Sequence, residues 1–341
     1  MEWERAPGMA INQLSRYVLL VIGALSVLVG AAFLRAPLTN VLDERAAHRF
    51  PDRPVVMIVS FKEGGGTDIG ARLLAGYFSK ELGQPVIVRN IDGKDGEVGY
   101  TELARARPDG YTIGFINLPT FMSLAGQRET RYRVSQITPV ANYVLDPAVL
   151  VVRADSEWRD FKSWLEYCLR FPQKMTISNN GVAASNHIAA ARLEYYSGME
   201  VTHVPFGGTA DMLRALEEGY VKASVAKISE VADAAEAGRF RVLAAFTDTR
   251  HPQLPSTPTL GEYGFPLEMG SARALAVPAG VHPSVKEKLH RAFVEAFNNP
   301  NHIREAQDRR LSLQYMSGDE VLQYMSDQEA FLNETLPRIG I

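Results

Sequence analysis

The sequence contains a single cysteine, Cys168, among 341 residues. One thiol cannot form an intramolecular disulfide, which excludes a disulfide-stapled fold and leaves apolar burial to build the core. Hydrophobic residues make up 46% of the chain and charged residues 22%, as in ordinary folded proteins, and the length allows two domains. Cys168 lies in an amphipathic helical stretch, which indicates a small buried side chain and not a reactive thiol.

The chain also lacks an excess of basic over acidic residues. The chain has 36 Lys and Arg against 39 Asp and Glu, a formal net charge of −3. Nucleic-acid binding draws most of its affinity from cations that neutralise phosphates, so we expect no nucleic-acid partner. Attraction of any anion must therefore come from a local arrangement of groups.

The common fingerprints of nucleotide, hydrolase and metal sites do not occur. The chain has no P-loop, no G-x-S-x-G elbow and no HExxH motif, and Ile69 stands where a dinucleotide fingerprint needs its third glycine. None of the seven histidines forms a pair at helical metal-ligand spacing. We therefore expect no metal, no cofactor and no catalysis.

One long stretch, residues 17–34, has no charged side chain. Its length lies between that of a secretory signal and that of a membrane-spanning helix. Small residues at 30–32 would permit cleavage, so a signal peptide is favoured over a retained anchor. Either one places the remaining chain outside the cytoplasm, in the periplasm.

Beyond a polar linker over residues 43–52, short β-rich runs alternate with helical stretches, which is typical of parallel sheets covered by crossover helices. This pattern predicts doubly wound α/β domains. Strands are predicted over residues 55–61, 85–89, 111–116, 148–152, 175–178, 201–204, 221–225, 242–246 and 274–277. Helices are predicted over residues 68–82, 158–169, 185–196, 210–218, 284–298 and 318–334.

The order of these elements predicts two lobes joined by a two-segment hinge. Lobe 1 is assigned residues 51–150 and 269–341, lobe 2 residues 151–268, and residues 1–50 are the signal or anchor plus linker. A cleft between two lobes is the usual place for a ligand.

A glycine-rich turn directly follows the first predicted strand and opens the first predicted helix. Glycines let the backbone approach a ligand, and the free N–H groups of a first helical turn favour an anion. The same turn also fits a structural interpretation in which Thr67 caps the helix and Asp68 complements its dipole. The expected ligand-binding residues of this turn are Gly64, Gly65, Gly66, Thr67 and Asp68.

Two similar turns lie in the predicted second lobe, each between a strand and a helix. Their hydroxyls, amides and glycines supply uncharged donors, which suit a carboxylate that must later be released. The expected binding residues of the first are Ser178, Asn180, Gly181, Ser185, Asn186 and His187, and those of the second are Phe206, Gly207, Gly208 and Thr209. We add Asn117, after the third predicted strand, to the same list.

Seven motifs occur in sequence order, and together they resemble those of one known family. They are RPV-x-x-IV-x-F-x-x-GGGTD with ARLLA at 53–75, LGQPVIVRN at 82–90, ARPDGYT at 106–112, SNNGVAASNH at 178–187, THVPFGGTA at 202–210, PSTPTLGEYGFP at 255–266 and VPAGVHP at 277–283. From about residue 50 to residue 341 the chain resembles the periplasmic solute receptors of tripartite tricarboxylate transporters, the TctC or Bug family.

The resemblance implies a type II periplasmic-binding-protein fold that binds di- or tricarboxylates, acidic amino acids or aromatic acids. It implies that backbone amides and waters hold the ligand carboxylate at the 64–68 turn and at Ser178, Gly181, Ser185 and His187. It further implies a monomer that delivers the ligand to the membrane subunits of such a transporter.

The chain departs from the family pattern in ways that bear on the ligand. Where the family commonly carries aspartates, this chain has Lys222 and Ala226, and Lys227 follows. If Lys227 faces inward, this favours a more anionic ligand, so Lys227 joins the expected binding residues.

Two alternatives remain open from the sequence. One is a receptor that feeds a membrane signalling protein instead of a transporter. The other is a secreted hydrolase with an oxyanion hole at 64–66 and His187 as its base.

Overall fold

The structure is a computed structural model that describes Glu44, Ala47, Arg49, residues 50–335 and Pro337. The chain divides into two compact units, Met1–Phe50 and Pro51–Ile341, and the fold described here is that of the second. The predicted signal or anchor over 17–34 lies outside the described residues. Among the residues that are described, no helix has the length and apolar character needed to cross a bilayer.

Strands and helices alternate along most of the described chain. The strands are β1 (Val55–Val59), β2 (Val86–Asn90), β3 (Thr112–Leu118), β4 (Ile137–Arg153), β5 (Thr176–Asn179), β6 (Thr202–Pro205), β7 (Ala223–Lys227), β8 (Phe240–Ala245), β9 (Gly270–Pro278) and β10 (Leu313–Ser317). The helices are α1 (Gly66–Leu82), α2 (Glu97–Arg105), α3 (Thr120–Gln127), α4 (Phe161–Arg170), α5 (Ser185–Ser197), α6 (Thr209–Glu217), α7 (Ile228–Glu236), α8 (Pro283–Asn298), α9 (Pro300–Asp308) and α10 (Gly318–Thr335).

The strands form one continuous sheet in the order β2-β1-β3-β9-β4-β7-β5-β6, with β8 and β10 also paired to β4. The pairs of β1 with β2 and β3, and of β5 with β6 and β7, are parallel, whereas β9 runs antiparallel to both β3 and β4. Parallel strands joined by helices are the arrangement that the sequence predicts, so the α/β class is confirmed.

The long strand β4 changes partners in its middle. Residues 137–147 pair with β9, and residues 148–153 pair with β7 and β8. We call the strands on the first side (β1, β2, β3, β9, β10) the first strand set and those on the other (β5 to β8) the second strand set. The assignment of residues to two lobes stays a prediction.

Only residues 148–152 of β4 were predicted as strand. Two prolines, Pro139 and Pro147, interrupt the pattern, and proline is usually excluded from central strands. The structure accommodates Pro139 next to a register shift and places Pro147 where the pairing with β9 ends. Irregularities of this kind let a strand continue past a residue that cannot donate to the ladder.

Helix α4 shows how local sequence and core packing agree. The side chain of Asp160 accepts a hydrogen bond from the backbone N of Ser163 at 2.8 Å and so caps the helix. Its buried face presents Phe161, Trp164 and Cys168 to the core. Cys168 is fully buried, as predicted, and burial raises the pKa of its thiol to about 12.

Candidate ligand-binding site

The first glycine-rich turn connects β1 to α1 and is held from within by Asp68. Gly64 has a φ of +79°, which favours glycine, and its backbone N donates to Asp68 Oδ2 at 2.9 Å. The Asp68 carboxylate also accepts from Arg72 Nε at 3.0 Å and from Asn90 Nδ2 at 2.9 Å. Burial alone would raise the pKa of Asp68, but the hydrogen bonds from Arg72, Gly64 and Asn90 outweigh it and lower the pKa.

The first turn of α1 has no side-chain cap within the described chain. Its N-cap is Gly65, and Thr67 lies inside the helix, so the interpretation of Thr67 as the cap is wrong. The Thr67 hydroxyl instead accepts from Asn117 Nδ2 on β3 at 2.8 Å. The N–H groups of this turn thus remain available to an acceptor that is not part of the helix.

The second turn runs from the end of β5 to the start of α5, whose N-cap, Ala184, likewise provides no side-chain cap in the described structure. Ser178 is fully buried, and its Oγ bonds to Ser224 Oγ on β7. Gly181 has a φ of +133°, and its N donates to Asn179 Oδ1 at 3.1 Å. Asn180 Oδ1 is buried without a partner among the described residues. Ser185 is the first residue of α5 and is 3% exposed.

His187 has its Nδ1 occupied, because that atom accepts from Ala183 N at 3.0 Å. Its ring packs edge-on against that of His203, with 4.7 Å between centroids. Burial lowers the pKa of His187 to about 4, and the nearby His203 contributes to the lowering, whereas Glu194 opposes it. The ring is therefore neutral at pH 7, and it is too weak a base for the hydrolase alternative.

The third turn leads from β6 into α6, with Gly208 as N-cap and again no side-chain cap within the described chain. Phe206 N donates to Asn179 O at 3.0 Å, which joins this turn to the second one. The Thr209 hydroxyl donates to Glu230 Oε1 at 2.8 Å, and Glu230 Oε2 accepts from the backbone N of Lys227 at 2.8 Å. Gly207 is exposed.

Lys227, at the end of β7, is buried. Its residue is 2% exposed, and its Nζ donates to Asn186 Oδ1 in the first turn of α5. Burial lowers the pKa of Lys227 to about 8, against the opposing influence of Glu230 and Asp146. A cationic amine therefore lies beside the second glycine-rich turn at neutral pH.

Sequence reasoning missed four residues that contact these turns directly or through one another. Ser123 donates to Ala183 O at 2.8 Å, which links α3 to the second turn. A Cβ placed on Gly181 would lie 3.3 Å from Asp95 Oδ1. Arg273 Nη2 lies against Gly66 and bonds Asp146 Oδ2 at 3.1 Å, and Asp146 in turn accepts from Ser229 of α7.

Two cavities are lined by residues outside these turns, although Ser123, which contacts Ala183 of the second turn, lines the first of them. One, of about 280 Å³, is lined mainly by residues of α3 and α10. The other, of about 220 Å³, is lined by residues of β1, β2, α2 and β3 and of the turn between α2 and β3. Neither is lined by a residue of the three glycine-rich turns. Within the described residues, no group of three His, Cys, Asp or Glu side chains could hold a metal ion.

The buried amine of Lys227 makes a testable contribution to the pH dependence of stability. Its pKa is about 8 in the fold and 10.5 in the reference state, so between these values the unfolded chain binds more protons and stability rises with pH. Lys227→Met removes this contribution. We expect the stability of the variant relative to wild type to fall by about 2 to 3 kcal/mol between pH 7 and pH 10.

Urea unfolding of both proteins at the two pH values measures this difference. Lys222→Met serves as the control, because Lys222 is exposed. A relative stability of Lys227→Met that does not change with pH would contradict a buried, charged Lys227.

Comparison with known proteins shows which protein family the chain matches. A family model described as the tripartite tricarboxylate transporter family receptor matches residues 70–340. The UPF0065 protein in the gbd 5' region of Cupriavidus necator is 29% identical over 313 residues, which cover 92% of this chain and 95% of that protein.

Solved structures agree with the sequence match. The TctC solute-binding protein of Polaromonas, solved without ligand, is 26% identical with a TM-score of 0.70, over 85% of this chain and 99% of that one. The MatC protein of Rhodopseudomonas palustris, solved with bound malate, is 26% identical with a TM-score of 0.76, over 84% of this chain and 100% of that one.

These comparisons confirm two predictions. The chain has the predicted type II periplasmic-binding-protein fold. Its family and fold are those of solute-binding proteins and not of enzymes, so the prediction of a non-catalytic protein is confirmed and the hydrolase alternative is set aside.

Proposed function

Because the chain belongs to the tripartite tricarboxylate transporter receptor family, we propose that it captures a small carboxylate in a cleft between its two lobes. The observation that carries this proposal is the set of three helices, α1, α5 and α6, that begin at glycine-rich turns without a side-chain cap in the described structure. Uncapped first turns present N–H groups and the positive end of the helix dipole to an anion.

Buried polar atoms without partners lie at the same turns. Within the described residues, Asn117 Oδ1, Asn179 Nδ2 and Asn180 Oδ1 have no hydrogen-bond partner. Buried polar groups are nearly always paired, so unpaired ones beside helix N-termini favour a ligand or water at this place. The proposed binding residues remain those expected from the sequence.

In this proposal lobe 1 comprises residues 51–150 and 269–341, and lobe 2 comprises residues 151–268. The contact of Ser123 with Ala183 crosses between them, and so does the approach of Asp95 to Gly181. A ligand would enter when these contacts break and would be enclosed when they form again, which is a hinge motion. The crossing segments would be the middle of β4 and the stretch between β8 and β9.

A carboxylate is the proposed ligand class for two reasons. The related Rhodopseudomonas palustris protein, 26% identical over its whole length, was solved with malate. The turns of this chain offer backbone and side-chain donors that are mainly neutral, and such donors can hold an anion and later release it. We further propose that the protein is an exported monomer that delivers the bound carboxylate to the membrane subunits of a tripartite transporter. Residues 17–34 would serve as a cleaved signal or as a retained anchor.

A thermal-shift and native mass-spectrometry screen tests the proposed function. We expect at least one of malate, citrate, adipate, glutamate and benzoate to raise the melting temperature in a concentration-dependent way, since a ligand of the folded state stabilises it by mass action. Native spectra should show one unaltered acid per chain. The corresponding neutral amides serve as controls.

Binding of none of the five acids, or equal stabilisation by the amides, would contradict a carboxylate receptor. Conversion of a bound acid to another compound would contradict the absence of catalysis.

A further inference from the structure

Arg273 is a buried arginine whose hydrogen-bond donors are only partly used. It lies on β9 and is 4% exposed. Its Nη2 donates to Asp146 Oδ2 at 3.1 Å, whereas its Nε and Nη1 have no partner among the residues that the structure describes. A buried charged group with unpaired donors is costly unless something else accepts from them.

The guanidinium lies against the first turn of α1. A Cβ placed on Gly66 would be 2.8 Å from Arg273 Nη2, so the space that a side chain would fill at the first helical residue holds the guanidinium. Asn117 and Arg273 are direct partners in the antiparallel pairing of β3 with β9, which puts their side chains on the same face of the sheet. Asn117 reaches Thr67 in this same helical turn.

The geometry of the guanidinium leaves one complete edge free. A guanidinium has two edges that each carry two parallel N–H donors, one edge formed by Nε and Nη2 and the other by Nη1 and Nη2. Nη2 therefore contributes one of its two hydrogens to each edge. Asp146 takes one of these two hydrogens, so whichever it takes, the other edge keeps both donors. Two parallel donors match the two oxygens of a carboxylate.

We infer that Arg273 is a specificity-determining residue whose free edge binds a carboxylate of the ligand at the first turn of α1. This inference rests on the proposed function and adds a charged contact to the backbone amides of the glycine-rich turn. The ligand it selects is an ionised carboxylic acid, and the amide of the same acid is rejected because it cannot accept from both donors with two anionic oxygens.

Asp146 acts as a positioning residue in this arrangement. Its residue is fully buried, and it accepts from the backbone N of Ser229 at 3.3 Å and from Ser229 Oγ as well as from Arg273. These contacts fix the carboxylate of Asp146, which then holds the guanidinium in one orientation. A rigid arginine loses less conformational freedom when the ligand binds.

Calorimetric titration at pH 7 tests the inference on the whole chain. The test compounds are malate, citrate, adipate, glutamate and benzoate, with malamide, adipamide and benzamide as uncharged counterparts. We expect Arg273→Gln to weaken binding of the acid that the wild type prefers by roughly 10- to 100-fold, the range for a charge-assisted hydrogen-bonded contact, and to leave amide binding nearly unchanged.

The acid affinity of Arg273→Lys should lie between those of the wild type and Arg273→Gln, because lysine keeps the positive charge but lacks the two parallel N–H donors. Gly66→Ala, which pushes on the guanidinium without removing it, should also weaken acid binding. These two variants carry the test if Arg273→Gln does not fold. The control is Arg239→Gln, which removes an exposed ion pair with Glu217 and should bind as the wild type does.

The outcomes separate the two proposals. Acid binding by Arg273→Gln within about twofold of the wild type would overturn the role of Arg273 and leave the receptor function standing. If Arg273→Gln does not fold, wild-type acid affinity in both Arg273→Lys and Gly66→Ala would do the same. Failure of the wild type to bind any of the five acids would overturn the proposed function and this inference together. A loss confined to the acids supports both.

Discussion

Replacing Asp146 with alanine is expected to lower the free energy of unfolding by about 3 to 5 kcal/mol, the usual cost of removing one partner from a buried ion pair. The change leaves Arg273 buried without its carboxylate and Ser229 without its acceptor. Lys227 makes the loss larger, because the variant then buries two cations close to each other. Denaturant unfolding at pH 7 measures the effect.

The control for Asp146 is Asp155→Ala, which also removes a carboxylate from an arginine. Asp155 pairs with Arg153 at the surface, where 67% of the Asp155 side chain is exposed, and such pairs contribute little. The double variant Asp146→Ala with Arg273→Met should lose less unfolding free energy than the sum of the losses of its two single variants, because it removes both charges of the pair. Equal losses from Asp146→Ala and Asp155→Ala would contradict the buried pair.

Gly99→Ala is expected to lower the free energy of unfolding by about 3 kcal/mol although it adds one methyl group. A Cβ at this position would lie 2.5 Å from Ser60 Oγ, 2.7 Å from Ser60 Cα and 2.7 Å from Ile91 O. Two of these three atoms belong to the backbone, so no side-chain rotation relieves the overlap. Helix α2 would have to move away from the end of β1, as thermal and urea unfolding should detect.

Gly76→Ala provides the matched control because it makes the same substitution in a helix. Gly76 lies in α1 with nothing within 4 Å of the added Cβ, and alanine favours the helix by about 0.5 to 1 kcal/mol over glycine. The two variants should therefore change stability in opposite directions. A stable Gly99→Ala protein would show that α2 does not pack as closely on β1 as described.

The turns could be predicted from the sequence because their signal is local. A β-rich run, two or more small residues and an amphipathic run occur within about fifteen residues of each other, and each part reports on its own neighbourhood. The start of α1 was placed at Asp68, two residues late, because glycine has a low helix propensity. The structure begins the helix at Gly66 since packing on the sheet overrides this preference.

Elements without such a signal were missed. Helices α2, α3, α7 and α9 have only eight or nine residues each, which leaves the helical period weak. Helix α6 is equally short, but it was predicted because it follows Gly207 and Gly208. No strand was predicted at Asp146 and Pro147, whereas β4 continues through both. The partner change at this point depends on β7, β8 and β9, which lie far away in the sequence.

The pair of Arg273 and Asp146 could not be predicted in this way, although Lys227 was. Arg273 and Asp146 are 127 residues apart, and nothing local to either indicates the other. A weak signal does exist, because Arg273 is the single charged residue of the β9 stretch, all of which is buried. An arginine in such a stretch needs a partner, but the sequence does not say whether that partner is a protein side chain or a ligand.

A crystal structure of the protein with the most strongly stabilising acid from the screen would show where the ligand binds. We expect a carboxylate oxygen about 3 Å from backbone nitrogens at the start of α1 or α5, with the other parts of the acid between the two strand sets. An acid bound in the cavity lined by α3 and α10, or on a surface remote from all three glycine-rich turns, would contradict it.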